Sequence, residues 1–244
     1  MTRPQISVVI PSLNEEKLIL KILSQFDKET REKYEVEVII SDGGSTDETM
    51  ILASGKADKI VIYEDEKRQN IAQGRNAGAR LAEGDVLVFL NADTYLQDKK
   101  KFFEKILEFS NANHYLALAF PVRIEKFEEL KIDKVFHTFY NFYVRLINLL
   151  GIGMGRGECH IIKKEHFYEV NGYNEMLSAG EDFDLYRRLR KKGKIKFVKD
   201  VVIYESPRRY RKFGYLSVFL DWAKNSISIL LFNKSISKEW KPVR

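Results

Sequence analysis

The sequence predicts an α/β protein in which a mostly parallel central sheet is covered by helices on both faces. Three observations predict this fold class. Apolar, β-rich segments alternate with segments of helical spacing over residues 5–96. The strand segments are apolar throughout, as in sheets that are buried on both faces. Polar residues follow three of these strands directly, at the sheet edge where α/β proteins place their ligands.

The elements of the first half follow one another in a regular order. Strands are predicted over 6–10, 36–41, 59–63 and 85–90, and helices over 18–26, from about residue 47, and over 70–84. Asn14 is expected to cap the first helix, Ser45 or Thr46 the second, and Gly84 to end the third. This alternation is typical of βαβ units.

The second half is less regular. A strand is predicted over 115–122, a charged connection over 125–133 and an aromatic helix over 134–153. A helix starting near Glu181 precedes a short strand, and a further strand runs into a basic loop over 206–212 and an apolar tail over 215–232. The character of the sequence changes near residue 123, without a firm domain boundary.

Composition limits the class of protein. The chain has 244 residues, 44% hydrophobic and 31% charged, which suffices for a core without disulfides. Its single cysteine, Cys159, fits a reducing compartment. The opening MTRPQISVVIPSLNEE lacks the pattern of a signal peptide, and no apolar run is long enough to span a bilayer. We therefore expect a cytoplasmic protein, free or at the inner face of the cell membrane. The net charge of +6 favours anionic partners.

Asp93 is the first candidate for chemistry. The apolar strand 86–90 ends at Asn91, and Asp93 follows two residues later. A carboxylate at the end of a parallel strand can hold Mg²⁺ or Mn²⁺, which need only one or two protein carboxylates when a diphosphate and water supply the other ligands. The alternative is an ordinary turn aspartate, and this segment alone does not decide between them.

Two further segments end at the same predicted edge. In SDGGSTD, Asp42 offers a carboxylate beside two glycines that would let a flat ring approach the backbone. Taken alone, the segment favours a tight turn before a helix. In PSLNEE, which follows the first strand, Asn14 and Glu15 are also ordinary helix-start residues.

The segment AGEDFDLYRRL places Glu181 and Asp182 at the start of a helix. The helix dipole favours ionised carboxylates there, and an ionised carboxylate in a cleft can take a proton from an attacking hydroxyl. Acidic residues also favour first turns without any function, and Asp184 looks structural. In SPRRYRK, Arg208 and Arg209 could clamp a diphosphate, although basic clusters usually form solvated faces.

Taken together, SVVIPSLNEE, VIISDGGSTDET, GRNAGARLAEGDVLVFLNADT and GYNEMLSAGEDFDLYRRL resemble family 2 glycosyltransferases in their order and approximate spacing. The resemblance is dense over 5–96 and returns over 157–192. It implies the GT-A fold, in one domain over 1–244. Residues 1–96 would bind a nucleoside diphosphate sugar, residues 97–211 would form the acceptor and catalytic part, and residues 212–244 would form a helical tail.

The resemblance also implies roles for individual residues. Asp42 would hydrogen-bond the base, and Asp93 would bind Mn²⁺ or Mg²⁺ as the last residue of the family's DXD motif. Asp182 would be the catalytic base, with Glu181 beside it in the family's ED pair. The other residues implied to line or support the donor site are Pro11, Leu13, Glu15, Arg75, Asn91 and Ala92, with Arg208 and Arg209 as the clamp.

This chain departs from the family pattern at Asn91, where the DXD motif begins with a carboxylate. Metal affinity would then depend more heavily on Asp93 and the diphosphate. A histidine that some relatives carry as a further metal ligand is also absent from VVIYESPRR.

The function that the resemblance implies is inverting transfer of a sugar to an acceptor hydroxyl on a glycan or a lipid-linked molecule. The segments 134–153 and 213–232 could contact a membrane or only pack on the sheet. Three rival classes compete: a nucleic-acid-binding protein, a nucleotidyltransferase and a non-catalytic sugar-nucleotide binder. Carboxylates that converge on the strand edge argue against nucleic acid. PSLNEE stands where a nucleotidyltransferase would carry a glycine-rich basic loop.

Overall fold

The computed structural model describes residues 3–65, 67–112 and 114–237. The strands are β1 (Ile6–Ser12), β2 (Val36–Asp42), β3 (Lys59–Ile62), β4 (Val86–Leu90), β5 (Tyr95–Leu96), β6 (Tyr115–Ala119), β7 (Val122–Ile124), β8 (Cys159–Lys163), β9 (Lys194–Phe197) and β10 (Ile203–Glu205). The helices are α1 (Ile19–Leu23), α2 (Lys28–Tyr34), α3 (Thr49–Ala53), α4 (Ile71–Leu81), α5 (Lys99–Ser110), α6 (Lys131–Leu149), α7 (Lys164–Glu169), α8 (Glu181–Lys192), α9 (Arg208–Phe213) and α10 (Tyr215–Phe232).

Seven strands form the main sheet in the order β3-β2-β1-β4-β8-β6-β9. The neighbours β3, β2, β1 and β4 are parallel, and so are β6 and β9, whereas β8 runs antiparallel to β4 and β6. The register pairs Ser12 with Asp42, so the carboxyl ends of β1 and β2 lie side by side. The predicted mostly parallel sheet is confirmed, with β8 as its antiparallel member.

Helices cover both faces of this sheet, because the central strands are apolar on both sides. On one face, Val8, Val38 and Val88 pack with residues of α1, α2 and α5. On the other face, Val9 and Phe89 pack with residues of α4, α7 and α8. The alternation of side chains along each strand divides its residues between the two cores.

A smaller sheet, β5-β10-β7, and the helices α6, α9 and α10 complete the described structure. A third core joins them, in which Phe136 and Tyr140 of α6 pack with Tyr210 of α9 and Val218 of α10. Among the helices of the described ranges, none has the combination of length and hydropathy that crossing a bilayer requires.

Three predicted helix ends are wrong. Asn14 adopts a left-handed conformation (φ 53°), and its Oδ1 accepts from the Thr46 amide instead of capping α1. Helix α3 begins only at Thr49, because Ser45 is held by Asp42 through its hydroxyl and amide. Helix α4 ends at Leu81, ahead of Gly84. A Cβ at Gly84 would lie 2.8 Å from the backbone of β1, so this glycine permits close chain packing.

Other boundaries differ in the second half. The single strand predicted over 115–122 is two strands, β6 and β7, which belong to different sheets. The basic loop predicted over 206–212 contains the short helix α9, and the connection predicted over 125–133 ends where α6 begins at Lys131. Helices α2, α5 and α7 and strand β8 are not predicted from the sequence. These elements are short or amphipathic, and their packing partners are distant in the chain.

Candidate active site

A cavity of about 430 Å³ opens at the carboxyl ends of β1 and β4. Helices α4, α6, α8, α9 and α10 enclose its remaining sides. Eleven of the twelve predicted site residues line it: Pro11, Leu13, Glu15, Arg75, Asn91, Ala92, Asp93, Glu181, Asp182, Arg208 and Arg209. The expected convergence of residues that are distant in sequence is therefore present in the structure.

Asp42 is the exception. Its side chain is buried and does not line the cavity, although the adjacent Gly43 does. One carboxylate oxygen accepts from the hydroxyls of Ser12 and Ser45, at 3.2 and 2.5 Å. The other accepts from the amides of Gly44 and Ser45, at 2.9 and 2.7 Å. The carboxylate thus shapes the turn after β2, and its contact with a base stays a prediction.

Asp93 lies beyond the end of β4, within an ion cluster. Arg208 of α9 forms two hydrogen bonds with the Glu15 carboxylate, at 3.0 and 3.1 Å, and its Nη2 lies 3.2 Å from Asp93 Oδ2. Burial raises the pKa of Asp93, and Glu15 and Glu158 add to the effect, whereas Arg208 opposes it. Arg208 therefore neutralises much of the negative charge at this end of the cavity.

Asp182 stands in the first turn of α8 and lines the same cavity as Asp93. Its Oδ1 accepts from the Phe183 amide at 2.7 Å, and within the described part of the chain no salt bridge reaches it. Burial, with the neighbouring Glu181 carboxylate, raises the pKa of Asp182 to about 7. A carboxyl with that pKa can exchange a proton near neutral pH, which suits a general acid or base.

Glu181 has a different environment from Asp182. It is buried, and its Oε1 accepts from Arg75 Nη1 at 2.8 Å. Nη2 of Arg75 donates to Asn91 Oδ1 at 3.0 Å and to the Gly157 carbonyl at 2.7 Å. Arg75 is 1% exposed and thus ties α4, the end of β4, the loop before β8 and the start of α8 together. Arg75 thus braces these four segments, and its contact with a nucleotide stays a prediction.

Sequence reasoning missed a second buried charge network in the cavity wall. Arg156 is 2% exposed, and it lies 3.2 Å from Glu158 and 2.8 Å from Glu205. Its guanidinium also lies 4.6 Å from the ring centroid of Tyr140. Glu205 follows an apolar strand directly, as Asp93 nearly does, and that signal could have identified it. Arg156 stands between glycines and carries no comparable signal.

The pKa values of the two carboxyls of this network shift in opposite directions. Burial and the charge of Glu158 raise the pKa of Glu205 well above its usual range. Burial acts in the same direction on Glu158, but Arg156 and hydrogen bonds outweigh it and hold the pKa of Glu158 below normal. Within this network Glu205 is therefore the carboxyl that binds a proton more readily, and Glu158 is the one that loses it more readily.

The cavity fits a hard divalent cation in a limited sense. Within the described ranges no three His, Cys, Asp or Glu side chains are arranged to hold a metal. Asp93 offers a carboxylate to the cavity, and Mg²⁺ or Mn²⁺ commonly bind through one or two carboxylates together with substrate phosphates and water. The residues present therefore suit a cation that arrives with a diphosphate.

Known proteins resemble this chain in sequence. A glycosyltransferase of uncharacterised role from Haemophilus influenzae is 26% identical over 187 residues, which are 75% of this chain and 61% of that protein. A validoxylamine A glucosyltransferase from Streptomyces hygroscopicus subsp. limoneus is 34% identical over 91 residues, 36% of this chain and 20% of that protein. This chain thus spans less than two thirds of the length of these relatives.

Solved structures share its fold. A mannosyltransferase from Pyrobaculum calidifontis in complex with GDP-Man and Mn²⁺ matches 90% of this chain and 64% of its own, with a TM-score of 0.66 and 20% identity. Glucosyl-3-phosphoglycerate synthase from Mycobacterium tuberculosis, in complex with Mn²⁺, UDP and glucosyl-3-phosphoglycerate, matches 94% and 79%, with a TM-score of 0.61 and 19% identity. The predicted GT-A fold is confirmed.

The model of the family described as "Glycosyl transferase family 2" matches residues 7–170, which is more than half of the chain. This match covers the β1, β2 and β4 edge that carries Asp42 and Asp93. The chain belongs to glycosyl transferase family 2.

Proposed function

We propose that this protein transfers a sugar from a nucleoside diphosphate sugar to an acceptor hydroxyl, with inversion at the anomeric carbon. The observation that carries the proposal is the placement of Asp93 and Asp182 in one cavity at the carboxyl edge of the sheet. The names of related proteins support the reaction class, since they include a validoxylamine A glucosyltransferase and a glycosyltransferase of PGL/p-HBAD biosynthesis.

The donor would occupy the side of the cavity formed by residues 1–96. Pro11, Leu13 and Gly43 line the part beside β1 and β2, where the nucleoside fits. The diphosphate would lie against Asp93 and the guanidinium groups of α9. Asp93 would hold Mn²⁺ or Mg²⁺, which neutralises diphosphate charge when bound. Preorganised electrostatics of this kind is commonly the largest contribution to catalysis.

Asp182 would act as the general base. As the acceptor oxygen forms its bond to the anomeric carbon, the hydroxyl proton passes to the Asp182 carboxylate. The bond between that carbon and the diphosphate oxygen breaks on the opposite face, which inverts the configuration. General-base assistance contributes roughly 10²–10⁴-fold to such reactions. Glu181 supports this role indirectly, because its charge raises the pKa of Asp182.

The acceptor would enter beside α6 and α10. Tyr140, Trp222, Asn225 and Ser226 line that side of the cavity, and they supply aromatic and hydrogen-bonding groups suited to a sugar. The acceptor would be a glycan or a lipid-linked molecule in glycan, glycolipid or cell-envelope polysaccharide synthesis, at the cytoplasmic side of the cell.

The experiment compares donor binding with transfer in Asp182→Asn. Donor binding is measured first by a thermal-shift screen of UDP-, GDP- and dTDP-sugars with and without Mn²⁺. Asp182→Asn should leave the thermal stabilisation by the donor unchanged, and it should lower the rate of transfer by about 10²–10⁴-fold. Transfer near the wild-type rate would exclude Asp182 as the base. Donor binding with no transfer in the wild type, over a range of acceptors, would favour a non-catalytic sugar-nucleotide binder.

A further inference from the structure

Helices α6 and α10 each present an exposed apolar stripe. On α6 the stripe contains Val135, Phe139 and Phe142, which are 66%, 53% and 61% exposed. On α10 it contains Leu216 and Leu220, which are 71% and 43% exposed. The spacings of three and four residues place the members of each stripe on one side of their helix. A group of large apolar side chains with this much exposure indicates a surface that binds a partner or a membrane in the functional state.

The two helices meet at an aromatic contact between Phe139 of the α6 stripe and Phe219, the neighbour of Leu220 in α10. The ring centroids of Phe139 and Phe219 lie 5.8 Å apart, and Tyr140 packs edge-on against Phe219 at 6.2 Å. The opposite sides of the same helices are buried in the third core, where Phe136 and Val218 lie. The helices therefore both pack on the protein and expose apolar residues. We call the exposed side the α6–α10 face.

Charge distinguishes between the partners that could cover the α6–α10 face. The exposed ionisable side chains of the two helices are Lys131, Lys134, Arg145, Lys224 and Asp221, four cations and one anion. Two copies of this face would repel each other, since both are positive. An apolar stripe flanked by lysine and arginine instead suits the interface of a membrane that contains anionic lipids.

The same two helices form a wall of the active-site cavity. Tyr140 of α6 and Trp222 and Asn225 of α10 line the cavity from the side of the helices that faces the core. A helix with its side chains is about 10 Å across. A membrane against the α6–α10 face would therefore lie about one helix diameter from the acceptor end of the cavity.

We infer that the α6–α10 face docks this protein on an anionic membrane surface, and that the acceptor is lipid-linked, with its hydroxyl presented at the adjacent end of the cavity. The part on the acceptor rests on the proposed sugar transfer, whereas the part on docking does not. Docking by a partly buried helix pair gives peripheral attachment, which needs no membrane-spanning segment.

The test is co-sedimentation of the full chain with phosphatidylcholine vesicles, with and without phosphatidylglycerol. We expect pelleting that requires phosphatidylglycerol and weakens as salt increases. The double substitution Phe142→Glu and Leu216→Glu should lower vesicle affinity by about tenfold or more, since it removes two apolar side chains from the interface and adds two negative charges. Ile51→Glu is the matched control, because Ile51 is 75% exposed on α3 and should leave pelleting unchanged.

Two results would overturn docking. One is equal pelleting of wild type and the double variant. The other is an absence of pelleting together with a wild-type dimer that the double substitution converts to a monomer, which would make a second copy the partner. Both are measured without donor, so they are independent of sugar transfer. The acceptor part is tested by transfer to a lipid-linked acceptor in vesicles and to its water-soluble analogue. The double substitution should slow transfer to the lipid-linked acceptor only, and stabilisation of the protein by the donor should not change. Equal rates of transfer to the lipid-linked acceptor in the wild type and the double variant would refute the inference about the acceptor.

Discussion

Asp182→Asn should stabilise the protein, and the gain should depend on pH. The folded structure raises the pKa of Asp182 from 3.8 to about 7, chiefly through burial. The folded protein therefore binds a proton more tightly than the unfolded chain, so stability falls as pH rises from about 4 to 7. Each tenfold difference in proton affinity corresponds to about 1.4 kcal/mol. The loss amounts to about 2 kcal/mol at pH 5 and about 4 kcal/mol at pH 8, and asparagine removes it.

Urea denaturation at pH 5 and pH 8 measures both values. Asparagine keeps the oxygen that accepts from the Phe183 amide, so little else should change. Asp184→Asn is the control, because Asp184 is buried and paired with Arg188 at 2.7 Å, and its loss should destabilise by about 1–3 kcal/mol. An equal gain from Asp182→Asn at the two pH values, or a loss of stability at pH 8, would refute the inference that the folded structure raises the pKa of Asp182.

Two further predictions concern the residues around Asp182 and Asp93. Arg75→Met should destabilise the protein by about 3–5 kcal/mol, because it leaves the buried Glu181 without its cation. Urea denaturation measures this loss, and a value below about 1 kcal/mol would contradict the bracing role of Arg75. Asn91→Asp keeps an acceptor for Arg75 and adds a carboxylate two residues before Asp93. In a thermal-shift titration, the Mn²⁺ concentration that gives half-maximal stabilisation by the donor should therefore fall roughly tenfold. An unchanged Mn²⁺ titration would place residue 91 away from the cation.

The sequence predicts the sheet and the convergence of the site well, since both depend on local signals. The apolar run of β4 ends where polar residues begin, and the carboxyl ends of parallel strands share one edge. This logic places Asp93 in the cavity, whereas Asp182 is assigned to the site through the family resemblance. The same local signal is ambiguous at Asp42, because a carboxylate beside two glycines either forms a turn or meets a ligand, and here all its hydrogen bonds in the described structure serve the turn.

The Arg156 network shows why the remaining part of the candidate site could not be predicted from the sequence. Arg156 and Glu205 are 49 residues apart, and only the packing of β10 beside the loop before β8 brings them to 2.8 Å. Arg156 has no periodic or motif-like neighbourhood that would single it out, and the position of Glu205 at the end of a strand does not reveal its partner. The raised pKa of Glu205 has the same origin, since it follows from burial beside Glu158. Such properties belong to the assembled structure and leave no trace in local sequence.

The arrangement of arginines in the cavity suggests which one can respond to substrate. Arg75 and Arg156 are 1% and 2% exposed, and each is bound to buried carboxylates, so removing either from its partners would leave an uncompensated buried charge. The Arg208 side chain is 25% exposed, and its partners Glu15 and Asp93 are 15% and 17% exposed. A cation bound at Asp93 would weaken one of the two carboxylate contacts of Arg208, whereas its two hydrogen bonds with Glu15 would remain. The two deeply buried arginines thus fix the shape of the site, whereas Arg208, the most exposed of the three, is the one that we expect to turn toward a diphosphate.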